Sequence, residues 1–231
     1  MIIKDHKALA ELIAGKRILH LESLGKDSAA TLHWLATFAH PSHIVAAHFE
    51  RLAKHPDDAR YLAYKKKKYP NVEFILVPNP IELSQIGAGM YQSPLSMLEE
   101  VNKWEWENFE FKKLVEETRL EHACDYVSSG IAKYESVIRA TLFYRKGIIW
   151  DNWIYPIGMF TKDEVLQVVR NGNIKLHPSY KFSKSTHDFP SWYKMRSAFI
   201  TNPEYKKSVL AAYPLLALDG YRYERLLNEK P

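Results

Sequence analysis

The chain has a single cysteine, Cys124, in 231 residues. An internal disulfide is therefore excluded, as is any zinc or iron–sulfur site drawing several cysteines from one chain. No run of about 18 apolar residues occurs, so the sequence offers no membrane span. The first residues, Met1-Ile2-Ile3-Lys4-Asp5-His6, carry no apolar stretch after their charges and do not read as a secretory signal. Internal repeats and low-complexity tracts are also missing. With one thiol and no targeting segment, the reducing cytoplasm is the expected location.

What is present suits a folded domain. Hydrophobic residues make up 46% of the chain, enough for a sizeable core. The formal net charge is +5, a mild basic excess that favours polyanions without separating nucleotides from nucleic acids. The densest basic run, Lys65-Lys66-Lys67-Lys68, follows Tyr61-Leu62-Ala63-Tyr64 and reads as a solvated helix end, with nucleic-acid contact as the other reading.

Apolar spacing alternates between strand and helix periods along the chain. A helix is expected over Lys4–Ala14, stopped by Gly15, then a strand at Arg17–Leu21 and a helix from Asp27. Further strands are expected at His43–Phe49, Val72–Val77 and Asp125–Ser128, with helices at Asp57–Tyr69 and Ser96–Arg119. Another helix is expected to follow Gly130 as far as Arg145. Short apolar runs at Gly147–Trp150 and Ile154–Pro156 supply one more strand. Thr161 begins a helix with an acidic residue three positions on, and two or three helices separated by Pro203 and Pro214 close the chain. This alternation predicts an α/β, Rossmann-like parallel sheet with helices on both faces and a helical C-terminal extension. The expected division is 1–180 for nucleotide binding and 181–231 for the extension packed on it.

Ser23-Leu24-Gly25-Lys26-Asp27-Ser28 lies between the first strand and the next helix. Glycine there lets backbone approach a phosphate, and the helix points N–H groups and its positive dipole end at the same place. Ser23 and Ser28 add hydroxyls, and Lys26 adds a mobile positive charge. Asp27 cannot donate to phosphate, but it can cap the helix or hold Mg²⁺ between phosphate oxygens. An ordinary capped turn is the other reading of these residues. Neither GxxxxGK[ST] nor GxGxxG occurs.

The string resembles the PP-loop signature SGGKDS of the N-type ATP pyrophosphatases and the related phosphoadenosine phosphosulfate (PAPS) reductases, with Leu24 replacing the first glycine. Later segments resemble the PAPS reductase branch. Gly130, Glu135, Ser136 and Arg139 match its G-x-R-x-x-E-S-x-x-R pattern, although Ala132 stands where that pattern has arginine. Tyr155–Val165 resembles W-x-P-[IL]-x-x-W-[ST]-x-x-D-V, and His177-Pro178-Ser179-Tyr180 resembles N-P-x-Y. The likeness covers roughly residues 15–180.

The resemblance implies an adenine-nucleotide α-hydrolase fold in which Ser23, Gly25, Lys26, Asp27 and Ser28 line the phosphates. It makes Asp27 the candidate Mg²⁺ ligand, and Lys26, Asp27 and Arg139 the candidate catalytic groups. Gly130 would let backbone approach the nucleotide, and Arg139 would neutralise phosphate or sulfate. Glu50 reads either as an acceptor for a ribose hydroxyl or as a solvated loop acid, and Arg139 equally as a salt-bridged surface residue. His177 and His187 are acid–base candidates.

One departure matters for activity. PAPS reductases attack with a cysteine in a C-terminal E-C-G-[LI]-H motif, and no cysteine follows Cys124 here. Cys124 itself reads as a small buried hydrophobe. The expected reaction is therefore Mg²⁺-dependent cleavage of ATP between its α- and β-phosphates, adenylylating an unknown acceptor. Sulfonucleotide reduction is the alternative within the family. A non-catalytic nucleotide or nucleic-acid binding module, using the lysine run and the aromatics of Trp104–Phe111, is the alternative outside it. A partner protein or homo-oligomer stays open, and no membrane partner is expected.

Overall fold

The computed structural model describes residues 5–51, 54–79, 81, 82, 84, 89, 90, 110–181 and 192–228. Helix α1 (His6–Ile13) is capped by Asp5, whose carboxylate accepts the Ala8 N–H, and the chain leaves it through Gly15 at φ +71°. Strand β1 (Arg17–Glu22) and helix α2 (Lys26–Trp34) follow, separated by Ser23, Leu24 and Gly25. Next come β2 (His43–Glu50), α3 (Asp58–Lys68) and β3 (Val72–Pro78). Helix α4 is Phe111–Glu121; the rest of the helix expected from Ser96 lies outside the described residues, as do Trp104 to Phe109 and His187.

Among the described residues, six strands form one mostly parallel sheet in the order β3-β2-β1-β4-β6-β5, flanked by helices. Strand β1 pairs in parallel with β2 from Arg17 opposite His43 to Glu22 opposite His48. On its other edge it pairs in parallel with β4 (Tyr126–Ser128), with His20 opposite Ser128. The chain thus runs outward from β1 to β2 and β3, then returns to β4 on the opposite side. That reversal makes the carboxyl ends of β1 and β4 the topological switch point, where sheets of this class bind ligands.

Three details differ from the sequence expectation. The last strand is a tight hairpin of β5 (Ile149–Trp150) and β6 (Trp153–Ile154), turned at Asp151 with φ +54°. Of this hairpin, β6 pairs in parallel with β4, whereas β5 runs antiparallel to β6. After Gly130 the chain makes a 3₁₀ turn (Lys133–Glu135) before α5 (Val137–Lys146), because extended Ser136 caps α5 by accepting the Arg139 N–H. Helix α6 (Lys162–Asn171) has the expected capping box, with Thr161 Oγ accepting from Glu164 N and Glu164 Oε2 accepting from Thr161 N.

The chain divides into two compact units. One comprises residues 1–49, 60–77 and 115–177. Its core gathers Leu9 and Ile13 of α1, Ile18 of β1, Leu32 and Trp34 of α2, Phe143 of α5, and Ile154 of β6. The other comprises residues 50–59, 78–114 and 178–231. It contains α7 (Trp192–Thr201), α8 (Pro203–Ala212) and α9 (Leu216–Asn228), whose core is Trp192, Met195, Phe199, Tyr205, Val209, Tyr213 and Leu216. Pro203 starts α8 behind an Asn202 cap, the position where its missing N–H does no harm. Among the described residues, no helix is long and apolar enough to cross a membrane.

Candidate functional site

The switch point brings two of the singled-out segments together: Ser23–Ser28 after β1, and the stretch after β4 that runs from Ser129–Gly130 through the 3₁₀ turn. Gly130 packs against the first turn of α2. A Cβ there would lie 2.8 Å from Ser28 N and 2.9 Å from the Asp27 carbonyl carbon. The glycine is therefore required by close backbone approach.

Leu24 stands where the PP-loop pattern has glycine, and it takes a glycine-like conformation, φ +62°. Left-handed backbone costs a residue with a Cβ about 1–2 kcal/mol. Its side chain, 2% exposed, packs on Tyr61 and Leu62 of α3, and burying a leucine contributes about 1.5–3 kcal/mol. Burial offsets the strain, which explains how leucine can stand at this turn.

Beneath the loop lies a polar network that motif reading did not reveal. Glu22, the last residue of β1, and Lys65 of α3 are both fully buried, with Lys65 Nζ 2.5 Å from Glu22 Oε2. The other carboxylate oxygen, Oε1, accepts the Leu24 N–H at 2.7 Å and the Ser28 hydroxyl at 2.8 Å. Burial alone would raise the Glu22 carboxyl, but the Lys65 ammonium and His20 outweigh it and hold the group below the usual carboxylate range. Removing one partner of such a pair costs about 3–5 kcal/mol, because the other charge is left buried and uncompensated.

His20 completes the network, its Nε2 lying 3.1 Å from Ser28 Oγ. Since the single Ser28 proton goes to the Glu22 carboxylate, the network assigns the His20 proton to Nε2. His20 Nδ1 and the Ser128 hydroxyl, on residues side by side in the β1–β4 register, are buried with no hydrogen-bond partner among the described residues. Ser28, expected to line phosphates, has its hydroxyl turned inward to this network and is 2% exposed.

The outward face of the loop carries the charges. Lys26 Nζ lies 2.6 Å from Asp27 Oδ2 and 2.6 Å from the Tyr134 hydroxyl, which donates to Asp27 Oδ1. The Lys26 ammonium also sits 5.0 Å from the centre of the Tyr134 ring. Both Asp27 oxygens are thus engaged at the head of α2. Mg²⁺ is commonly held by one or two carboxylates plus phosphate oxygens; the Asp27 carboxylate is here taken by Lys26 and Tyr134. Ser23 is exposed, and its hydroxyl accepts the Gly25 N–H at 3.3 Å. Tyr134 was not singled out in the sequence, since it occupies an unspecified position between Gly130 and Glu135.

Other candidates have local partners. Glu135 accepts the Ala132 N–H at 2.9 Å and pairs with Arg139 at 2.6 Å, so Arg139 is tied to the 3₁₀ turn just before its helix. Glu50 ends β2 and pairs with Lys54 at 2.7 Å. His177 is buried, its ring edge-on to Tyr61 at 5.2 Å. The lysine run is not a uniformly solvated helix end, because α3 amphipathicity turns its first member inward. Lys65 is buried against Glu22, and Lys68 donates to the carbonyls of Gly172 and Asn173 at the end of α6. Only Lys66 and Lys67 of the four are exposed.

Cys124 sits at the other end of the sheet. Asp125, its neighbour, exchanges hydrogen bonds with Arg17 at the start of β1, whereas the loop follows Glu22 at its end. At about 3.3 Å per residue, β1 separates the two by about 17 Å. Burial pushes the thiol up, away from the nucleophilic thiolate. No protein-family model matches the chain, and no curated protein matches it in sequence.

Proposed function

We propose that this chain is a PP-loop adenine-nucleotide enzyme of the PAPS reductase-like type that cleaves ATP between its α- and β-phosphates and adenylylates an acceptor. The observation that carries the reading is the loop Ser23–Ser28 at the switch point, with Lys26 and Asp27 on the first turn of α2. In this reading an acceptor oxygen attacks the α-phosphorus, the bond from that phosphorus to the bridging oxygen of the β-phosphate breaks, and pyrophosphate leaves. Lys26 neutralises charge on the leaving phosphates, and the α2 N-terminus adds its dipole. Asp27 would hold Mg²⁺, which supplies charge stabilisation on the phosphate oxygens.

For the sulfonucleotide-reductase alternative, the buried Cys124, about 17 Å of strand away from the loop, is a poor nucleophile. For the nucleic-acid module, two exposed lysines in the run make a weak patch. Labelled ATP with Mg²⁺ should yield pyrophosphate, and Lys26→Ala should slow its release about 100-fold while leaving the fold intact. Sulfite from PAPS and thioredoxin, without pyrophosphate from ATP, would replace this reading with the reductase one. Unchanged pyrophosphate release by Lys26→Ala would remove the loop from the chemistry.

A further inference from the structure

The loop has donors on two sides, and the inner ones already have an anion. Glu22 Oε1 accepts from Leu24 N at 2.7 Å and from Ser28 Oγ at 2.8 Å, so one carboxylate oxygen spans the loop from its second residue to its last. Ser28 Oγ in turn accepts the Ser23 N–H at 3.2 Å, tying in the first residue too. Every group in this clasp faces away from solvent except Ser23. Helix α3 touches the clasp twice: Lys65 neutralises Glu22, and Tyr61 and Leu62 pack on the Leu24 side chain.

We infer that Glu22 and Lys65 are the positioning pair of the phosphate loop, an internal carboxylate neutralised from α3 that holds the loop closed before any ligand arrives. The inference deepens the anion-binding reading of Ser23–Ser28 and rests on it for its ligand consequence. Glu22 acts through Leu24 and Ser28, and Lys65 acts through Glu22; neither touches the ligand. The carboxylate satisfies the inner donors, which leaves the ligand to the outer face where Lys26 stands. Without the ammonium, the buried carboxylate takes up a proton and loses acceptor strength toward Leu24 N, which is the bond that holds the left-handed turn. The pair differs from an ion pair kept for the fold alone, because its loss should open Ser23–Ser28 selectively. It also implies that Ser28 serves the loop from within.

The test compares Lys65→Met, Glu22→Gln and the charge-neutral double variant, each checked for folding by circular dichroism. Amide hydrogen exchange over residues 22–28 is read against α5, and binding of inorganic pyrophosphate with Mg²⁺ is read by calorimetry. Lys65→Met should exchange at least tenfold faster over 22–28 with α5 unchanged, and should bind pyrophosphate at least tenfold more weakly. The double variant, in which the Gln carbonyl still accepts from Leu24 and Ser28, should recover most of both losses. If Lys65→Met does not fold, Glu22→Ala carries the same comparison, since it removes the acceptor of Leu24 N and Ser28 Oγ. Unchanged protection over 22–28 in folded Lys65→Met, or in folded Glu22→Ala, overturns the inference, as does a double variant that recovers nothing. Wild-type protein that binds no pyrophosphate, with the exchange pattern as described, would remove the phosphate reading and leave the positioning pair standing.

Discussion

Leu24 sets two effects of similar size against each other, so replacing it gives a sharp test. Truncation to alanine leaves φ at +62° and removes a side chain that is 2% exposed. Leu→Ala in a core costs about 2–5 kcal/mol, and nothing is recovered because alanine keeps its Cβ in the left-handed region. Glycine loses the same packing but relieves about 1–2 kcal/mol of backbone strain. Against that stands the greater freedom of glycine in the unfolded chain, about 0.5–1 kcal/mol. The balance favours glycine over alanine by about 0.5–1 kcal/mol, while both remain less stable than wild type. Urea titrations with matched slopes should therefore rank wild type above Leu24→Gly, and Leu24→Gly above Leu24→Ala. If alanine proves as stable as glycine, the turn is not strained, and the account of leucine at a glycine position fails.

Two further outcomes follow from burial and charge. Cys124→Ala should leave pyrophosphate release within about twofold of wild type, since the thiol is buried at the amino end of β4; abolished activity would restore a thiol mechanism. Glu22 has a folded pKa below its unfolded value of about 4.3, so its contribution is present above that pH and is lost as pH falls through and below it. Glu22→Gln should accordingly be less stable than wild type at pH 7 but lose less stability between about pH 5 and pH 3. Parallel acid limbs in urea titrations would contradict the buried ion pair.

Much of the fold was legible because it depends on local pattern. The alternation of periods gave the strands and helices, Gly15 gave the end of α1, and Thr161 with Glu164 gave the start of α6. The hairpin at Asp151 was not legible, since its strands, Ile149–Trp150 and Trp153–Ile154, are two residues each and too short to show a period. At the site, the loop could be read from its residue types, but its support could not. Glu22 and Lys65 are 43 positions apart, and a lysine opening a four-lysine run looks solvated until the burial of α3 turns it inward. Tyr134 reaches Lys26 and Asp27 only because β4 lies beside β1, a pairing that no local window contains. The match at Glu135 and Ser136 likewise has a local use: one holds the 3₁₀ turn and the other caps α5.

Gly130 separates a packing role from a ligand role at this same junction. If it mattered only for approach of a nucleotide, Gly130→Ala would fold normally and lose affinity alone. The structure makes the opposite expectation, because the added methyl would meet Ser28 N at 2.8 Å and Ser28 Cα at 3.0 Å. These are backbone atoms in the first turn of a helix, so no side-chain rotation can relieve the contact. Either β4 withdraws from α2 or the first turn of α2 shifts, and overpacking of this kind costs about 1–3 kcal/mol. The same displacement would move Asp27 and Ser28 relative to Glu22, so loop protection should fall together with stability. Gly130→Ala should therefore lower the urea midpoint and raise exchange over 22–28 in the absence of any ligand. Stability and protection equal to wild type would show that β4 and α2 do not meet at this glycine.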